Sequence, residues 1–386
     1  MSESNALFDE LTAECARGGA AAALEKLATR LREQEQFHEL FDTRLMQARR
    51  NLGLPIAQSS GLDDLPEPQR SQVETAYLNA CREVGQLLLD KGQVREAWMY
   101  LRPVGDRPMV AAGLAKITPD DENMQDLIEV ALHEGVNPKL GLELVLNHYG
   151  VCNAITTCEA AMQRQTPAQR EEVARLLVHR LHDDLLRNLQ AEVARQEGSQ
   201  PPEQTIRELV ADRDWLFASD NYHIDTSHLH AVVRFARQVT DAATLRLASD
   251  LTEYGRRLSS QYQYPGEEPF VDSQAAHGLF FQTQTGDNVE AGLKYFRDKA
   301  ESLTIEEHGP GPAEIYIALL ARIGRQKEAL EAAAKYLPAG TQTSGFAPSL
   351  NELAKATGDY GRMMEICRER GDLLGFAAGL AEKAAL

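Results

Sequence analysis

Residues 92–101 read GQVREAWMYL, and the same scheme returns as GDNVEAGLKYF from Gly286 and GRQKEALEAAAKYL from Gly324. In each copy a glycine is followed five positions later by an alanine: Ala97, Ala291 or Ala329. An acidic residue stands just before that alanine: Glu96, Glu290 or Glu328. A large residue follows at similar spacing, Leu101 or Tyr295. A fourth copy, GDYGRMMEIC from Gly358, carries Met363 in the alanine position. The last three glycines stand 38 and 34 residues apart, a period that belongs to stacked helical hairpins. The physical scheme is simple. Glycine ends a first helix in a left-handed conformation that bulkier residues resist. The small residue lies where the second helix approaches the first, and the large one fills the hole beside it.

Helical periodicity runs through the rest of the chain. Leu24, Leu27 and Leu31 form one apolar stripe within residues 20–34, and Val73, Tyr77, Val84, Leu87 and Leu88 form another. The longest candidate spans 167–195, opened by Thr166-Pro167 and striped by Val173, Leu177, Leu181 and Leu185. The best β-like run, Ala313–Leu320, leads straight into an Ala/Leu/Glu helical pattern, so the fold class is all-α. Breaks are expected at Gly53–Pro68, Gly198–Pro202, Tyr262–Pro269, His308–Pro312 and Pro338–Pro348, where Pro and Gly concentrate. His308–Pro312 reads as a rigid non-helical turn. The expected organisation is an N-terminal set of helical hairpins over 1–165, a long helix with a histidine-rich segment over 166–262, and repeats over 263–386.

These repeats resemble those of the tetratricopeptide-repeat family, clearest over residues 72–108 and 270–370, with Gly85 in the small-residue position of a first helix. The resemblance implies a right-handed α-solenoid of antiparallel helix pairs whose concave groove binds a peptide or protein. On that expectation Asn79, Arg82 and Gln86 face the groove, and His277 lies in a first helix that faces it too. Arg82 and Gln86 loosely imitate the Lys/Asn clamp with which some family members hold a terminal carboxylate. The equivalent later positions hold Glu314 and Ala318, so the clamp is not repeated.

Composition narrows the remaining classes. The chain has 386 residues, 40 Lys plus Arg against 58 Asp plus Glu, and a formal charge of −18. Such a chain lacks the basic footprint of a nucleic-acid binder and is repelled by an anionic membrane surface. No apolar run approaches the roughly 20 residues of a membrane span. Five scattered cysteines without a CxxC pair suit a reducing cytoplasm, and an acidic surface suits a basic partner. There is no GxxxxGK[ST], GxGxxG or GxSxG motif.

One segment departs from repeat material: Trp215–Arg237, WLFASDNYHIDTSHLHAVVRFAR. It packs His223, Asp225, His228 and His230 within eight residues. The preceding helix offers His179, His182 and Asp183 at spacings that share a face. Two readings follow. In the first, Asp225 caps the next helix and the histidines are ordinary core or surface residues. In the second, His179, His182, His223 and His228, with Asp225 as ligand or orienter, hold zinc, iron or manganese in the concave face of a metalloprotein, a hydrolase or oxygenase. The leading functional expectation remains a protein- or peptide-binding scaffold.

Overall fold

A computed structural model of the chain describes residues 3–56, 65–162 and 164–385, with side chains from residue 6 onward. Of the expected Gly53–Pro68 loop, residues 57–64 lie outside the described residues. Among the described residues every regular element is helical and none is a strand. None of the helices is long and apolar enough to cross a membrane.

The chain divides into two compact units, Met1–Gly150 and Val151–Leu386. The first contains α1 (Glu3–Glu33), α2 (Phe37–Asn51), α3 (Gln69–Asp90), α4 (Val94–Val104), α5 (Arg107–Leu114), α6 (Met124–Ile128) and a π-helical turn, Glu129–His133. Then comes α7 (Pro138–Met162), interrupted at Gly150, where the units divide. Within the first unit α1 packs on α2, α2 on α3, and α3 on α4. Val73, Val84 and Leu88 are buried as their spacing predicts. Tyr77 stays partly exposed and meets Phe41 edge-on at 5.6 Å.

The second unit continues with α8 (Pro167–Glu197), α9 (Ile206–Ala211), a 3-10 segment Asp214–Asp220, α10 (Thr226–Phe235) and a 3-10 turn Ala236–Gln238. It goes on through α11 (Ala242–Arg257), α12 (Ser273–Thr285), α13 (Val289–Ser302) and α14 (Ile305–His308). It closes with α15 (Gly311–Arg322), α16 (Gln326–Tyr336), α17 (Leu350–Thr357), α18 (Tyr360–Arg370) and α19 (Leu373–Ala384). α8 begins with a reciprocal cap: Gln169 N–H donates to Thr166 Oγ1 at 3.3 Å, and Thr166 N–H donates to Gln169 Oε1 at 3.0 Å. Its stripe Val173, Leu177, Leu181, Leu185, Leu189 and Val193 is fully buried, each leucine contributing roughly 1.5–3 kcal/mol of transfer free energy. α10 and α11 pack against this helix. From α11 onward, neighbouring helices pack in succession through α12, α13, α15, α16, α17, α18 and α19. The Tyr262–Pro269 segment, placed as a boundary from its composition, joins α11 and α12, which lie directly on one another.

Two local expectations change. His308–Pro312 is not wholly a turn. α15 already begins at Gly311, because a proline in a first helical turn, here Pro312, forfeits only an N–H that has no partner there anyway. The β-like run Ala313–Leu320 is the buried core of that helix. Within it, Glu314 is almost fully buried and its carboxylate accepts the N–H groups of Ser344 and Gly345, each at 3.1 Å. The position expected to face a groove instead anchors the Pro338–Pro348 loop.

The repeat scheme is present with one shift of register. Gly92, Gly286, Gly324 and Gly358 all adopt left-handed φ values of 76, 92, 83 and 71°. After three of them the next helix starts two residues on, at Val94, Gln326 and Tyr360. Its fourth residue, Ala97, Ala329 or Met363, is buried. After Gly286 the turn gains a residue, Asn288, itself left-handed at φ 51°, and α13 starts at Val289. The fourth residue is then Gly292, not Ala291. Ala291 is exposed, whereas a Cβ at Gly292 would stand 1.8 Å from Thr283 Oγ1. The large residue moves with it: fully buried Phe296 takes the role expected of Tyr295, which is only half-buried. Ala291→Leu should therefore change stability by less than about 0.5 kcal/mol, while Gly292→Leu overpacks the α12–α13 contact and costs roughly 2–3 kcal/mol. Urea unfolding of the two variants checks the register; equal losses would contradict it.

Candidate functional site

The expected metal ligands do not converge. Asp225 caps α10: its Oδ1 accepts Ser227 N–H at 2.9 Å, His228 N–H at 3.1 Å and the Ser227 hydroxyl at 2.6 Å. The Ser227 hydroxyl bond, with the backbone donors, holds this carboxyl below its ordinary range. His223 turns to Tyr254, whose hydroxyl accepts the His223 backbone N–H at 2.7 Å and lies 3.2 Å from Nδ1. His179 is exposed and bonds Thr244 Oγ1 at 3.0 Å. His182 is buried, and its Nδ1 lies 3.8 Å from the exposed Asp183 carboxylate. Among the described residues no group of three or more His, Cys, Asp or Glu is placed to hold a metal ion. The physical reason is that Asp225, His223, His179 and His182 each serve a local need, a cap, a tyrosine contact, a threonine contact and core packing, while His228 gives its backbone N–H to the Asp225 cap. Shared helix faces brought the residues near in sequence but aimed them at different neighbours.

The groove candidates of the first unit lie along α3. Asn79 and Arg82 are exposed and bonded to one another at 3.3 Å, and Gln86 bonds Asp90 at 2.7 Å. Their charges and amides are engaged within the helix surface. His277, the fourth groove candidate, lies in the second unit and is only 2% exposed.

His277 leads to a different site. It lines a cavity of about 220 Å³ together with His230, Arg234, Arg237, Phe270 and Ser273. Four parts of the second unit build it. The end of α10 and its 3-10 turn supply His230 and the two arginines, three residues apart so that both reach one side. The start of α12 supplies Ser273 and His277, and the 263–272 segment supplies Phe270 and Glu267. That segment is held from several sides. Gln263 Nε2 donates to Gly255 O at 2.7 Å, Tyr295 Oη donates to Pro269 O at 3.0 Å, and Lys299 pairs with Glu268 at 2.7 Å. Arg322, half-buried in α15, donates to the carbonyls of Arg237 at 2.7 Å and Val239 at 3.4 Å, and fixes the backbone behind Arg237.

Within the cavity the imidazole of His277 stacks on Phe270, with centroids 4.1 Å apart and 16° between planes. His277 Nδ1–H donates to Ser273 O at 2.6 Å, and Nε2 is buried with no partner. The Arg237 guanidinium lies 5.1 Å from the Phe270 centroid, and its Nε donates to Arg234 O at 3.1 Å. Arg234 pairs with Glu159. Among the described residues no carboxylate pairs with Arg237. Burial, and after it the Arg234 charge, push Arg237 down to about 10 against the opposing pull of the Glu267 carboxylate, so it still carries its proton at neutral pH. Burial and these same arginines push His277 down to about 3 and hold His230 below its ordinary value. A second cavity, of about 370 Å³, shares Arg234 and Arg237 as walls and adds Arg170, whose Nε is buried without a partner. Three arginines thus meet two cavities in a chain of charge −18. The arrangement can bind an oxyanion: guanidinium groups fork onto carboxylate or phosphate, and low solvent access strengthens the contact.

Sequence reasoning stopped at the histidines of this segment. The available signal was Arg234 and Arg237, two cations three apart at the end of an apolar helix. No protein family, curated protein or solved structure matches the chain.

The cavity histidines make stability depend on pH. His277 has a folded pKa of about 3 against an ordinary 6.5. Below pH 6.5 the unfolded chain therefore binds the proton that the folded chain refuses. The contribution is fully present above that pH and is lost as pH falls toward 3, at roughly 1.4 kcal/mol per pH unit below about pH 6. Urea midpoints should fall between pH 7 and pH 5, and His277→Gln should flatten part of that fall; an unchanged slope would contradict it.

Proposed function

We propose that the chain is a binding scaffold, a tetratricopeptide-like α-solenoid of stacked helix pairs that takes a protein or peptide partner in the cytoplasm. Support comes from the repeated left-handed glycine followed by a second helix whose fourth residue is packed inside. Such pairs stack side by side and leave one edge of every first helix available to a ligand. The observation that carries the binding role is the arginine-walled cavity of the second unit, where Arg237 lies against the Phe270 ring and, among the described residues, pairs with no carboxylate. A desolvated unpaired charge costs stability. A scaffold keeps it when the missing counter-charge arrives with the ligand. The acidic outer surface is then a solvated exterior, and the contact that recognises the partner is basic.

The test is selection of a displayed peptide library on the full-length chain, followed by affinity measurement of the enriched peptides. Peptides that carry an acidic residue or terminus, bind with micromolar or better Kd, and weaken at least tenfold with Arg237→Met are expected. Binding should also weaken from 50 to 300 mM salt, because the screening length shortens from about 14 Å to about 6 Å over that range. Failure to enrich any peptide above a display control, or enrichment indifferent to Arg237, overturns this reading.

A further inference from the structure

We infer that the cavity between α10, the 263–272 segment and α12 is a specific site for a single oxyanionic group, a carboxylate or a phosphate, seated on the guanidinium of Arg237. The inference deepens the scaffold reading, since it names what the partner must present, and it stands or falls separately from it. Several independent features meet here. The cavity is enclosed by parts whose positions are fixed, so little order has to be gained on binding. Phe270 carries both groups: the Arg237 guanidinium lies 5.1 Å from its ring centroid, and the His277 imidazole stacks on the ring at 4.1 Å. Arg237 spends Nε on the Arg234 carbonyl, and no ion pair takes up its outer nitrogens among the described residues. Ser273 Oγ, 3.4 Å from both His230 Nδ1 and His277 Nδ1, is a hydroxyl on the same wall.

The charges facing the site make one anion the right complement. From α10 and its turn come Arg234 and Arg237, and from α8 comes Arg170. From α7 comes Glu159, already paired with Arg234, and from the 263–272 segment comes Glu267. Glu171 of α8 is turned to Thr240, accepting its N–H at 2.8 Å and its hydroxyl at 2.5 Å. Three cations against the two carboxylates that line these cavities leave one positive charge unanswered. The neutral imidazoles of His230 and His277 add none. A carboxylate side chain, a chain terminus or a phosphate group would each supply that charge and accept a forked pair of N–H bonds. The cavity volume, about 220 Å³, admits the group together with part of what bears it.

The experiment uses the full-length chain and small probes, sodium acetate and inorganic phosphate, at ionic strength held constant with sodium chloride. The readouts are the ring-proton resonances of His230 and His277 and the thermal unfolding midpoint. A saturable shift of both resonances with at least one probe is expected, with a rise in the midpoint that tracks it. Saturation by acetate alone assigns the site to carboxylates, and by phosphate at tenfold lower concentration to phosphoryl groups. Arg237→Met should lose the saturable shift while unfolding in chloride at the same or a higher temperature than the parent, because it removes a half-buried charge that no carboxylate among the described residues pairs. Arg237→Lys keeps the charge but not the fork, and should bind at least tenfold more weakly. No saturable response up to 50 mM of either probe, or an equal response in Arg237→Met, overturns the assignment and leaves Arg237 as a packing residue. A saturable response without any peptide selected would keep this site and remove the scaffold reading.

Discussion

The close approach of each second helix to the one before it governs this architecture. A left-handed glycine turns the chain back, and the residue one helical turn after the restart must be small enough, or suitably shaped, to let the backbones meet. Ala97 and Ala329 meet that need with a methyl group, and Gly292 meets it with none, because Thr283 already occupies the space. The rest depends on this contact. Phe296, one turn further along α13, reaches the core where it packs against Phe270 and Phe280. Phe270 in turn carries both the His277 ring and the Arg237 guanidinium. The aromatic cluster that supports the cavity is thus seated by the same packing rule that forms the repeats.

Arginine serves two opposite purposes in this region. Arg322 is half-buried but occupied: it donates to the Arg237 and Val239 carbonyls and lies 4.7 Å from the Phe346 centroid. Its cost is offset by these backbone acceptors. Arg237 has a single such bond, through Nε, and faces a cavity. Two cations a few residues apart in space therefore differ in kind. One is part of the scaffold, and the other is an unanswered charge on a prepared surface.

Much of the fold was legible in the residues, and the reason is range. A left-handed glycine, a cap such as Thr166-Pro167 and an apolar stripe such as Val173 to Leu185 are set by contacts within a few residues. Their patterns are therefore written locally. The one misread repeat shows the limit of that locality. GDNVEAG aligns with GQVREA by identity, but Asn288 takes a left-handed conformation and delays the helix by one residue. The small-residue position passes to Gly292. A single residue in a turn decides which side chain faces inward, and the letters alone do not record its φ.

The candidate site was less legible. The segment Trp215–Arg237 stood out by its histidines, yet spacing could not say what each would face. Asp225 spends its oxygen on the α10 cap, His223 meets Tyr254, and His182 disappears into the core. The sequence by itself determined an all-helical chain, its hairpin turns, its long capped helix and a segment unlike the rest. Only the tertiary structure decided that no carboxylate among the described residues pairs directly with Arg237, and that His277 and Ser273 of α12 line a cavity with it. Helix formation and turning are near-neighbour physics, whereas the counter-charge of a side chain depends on what residues tens of positions away bring to the same space.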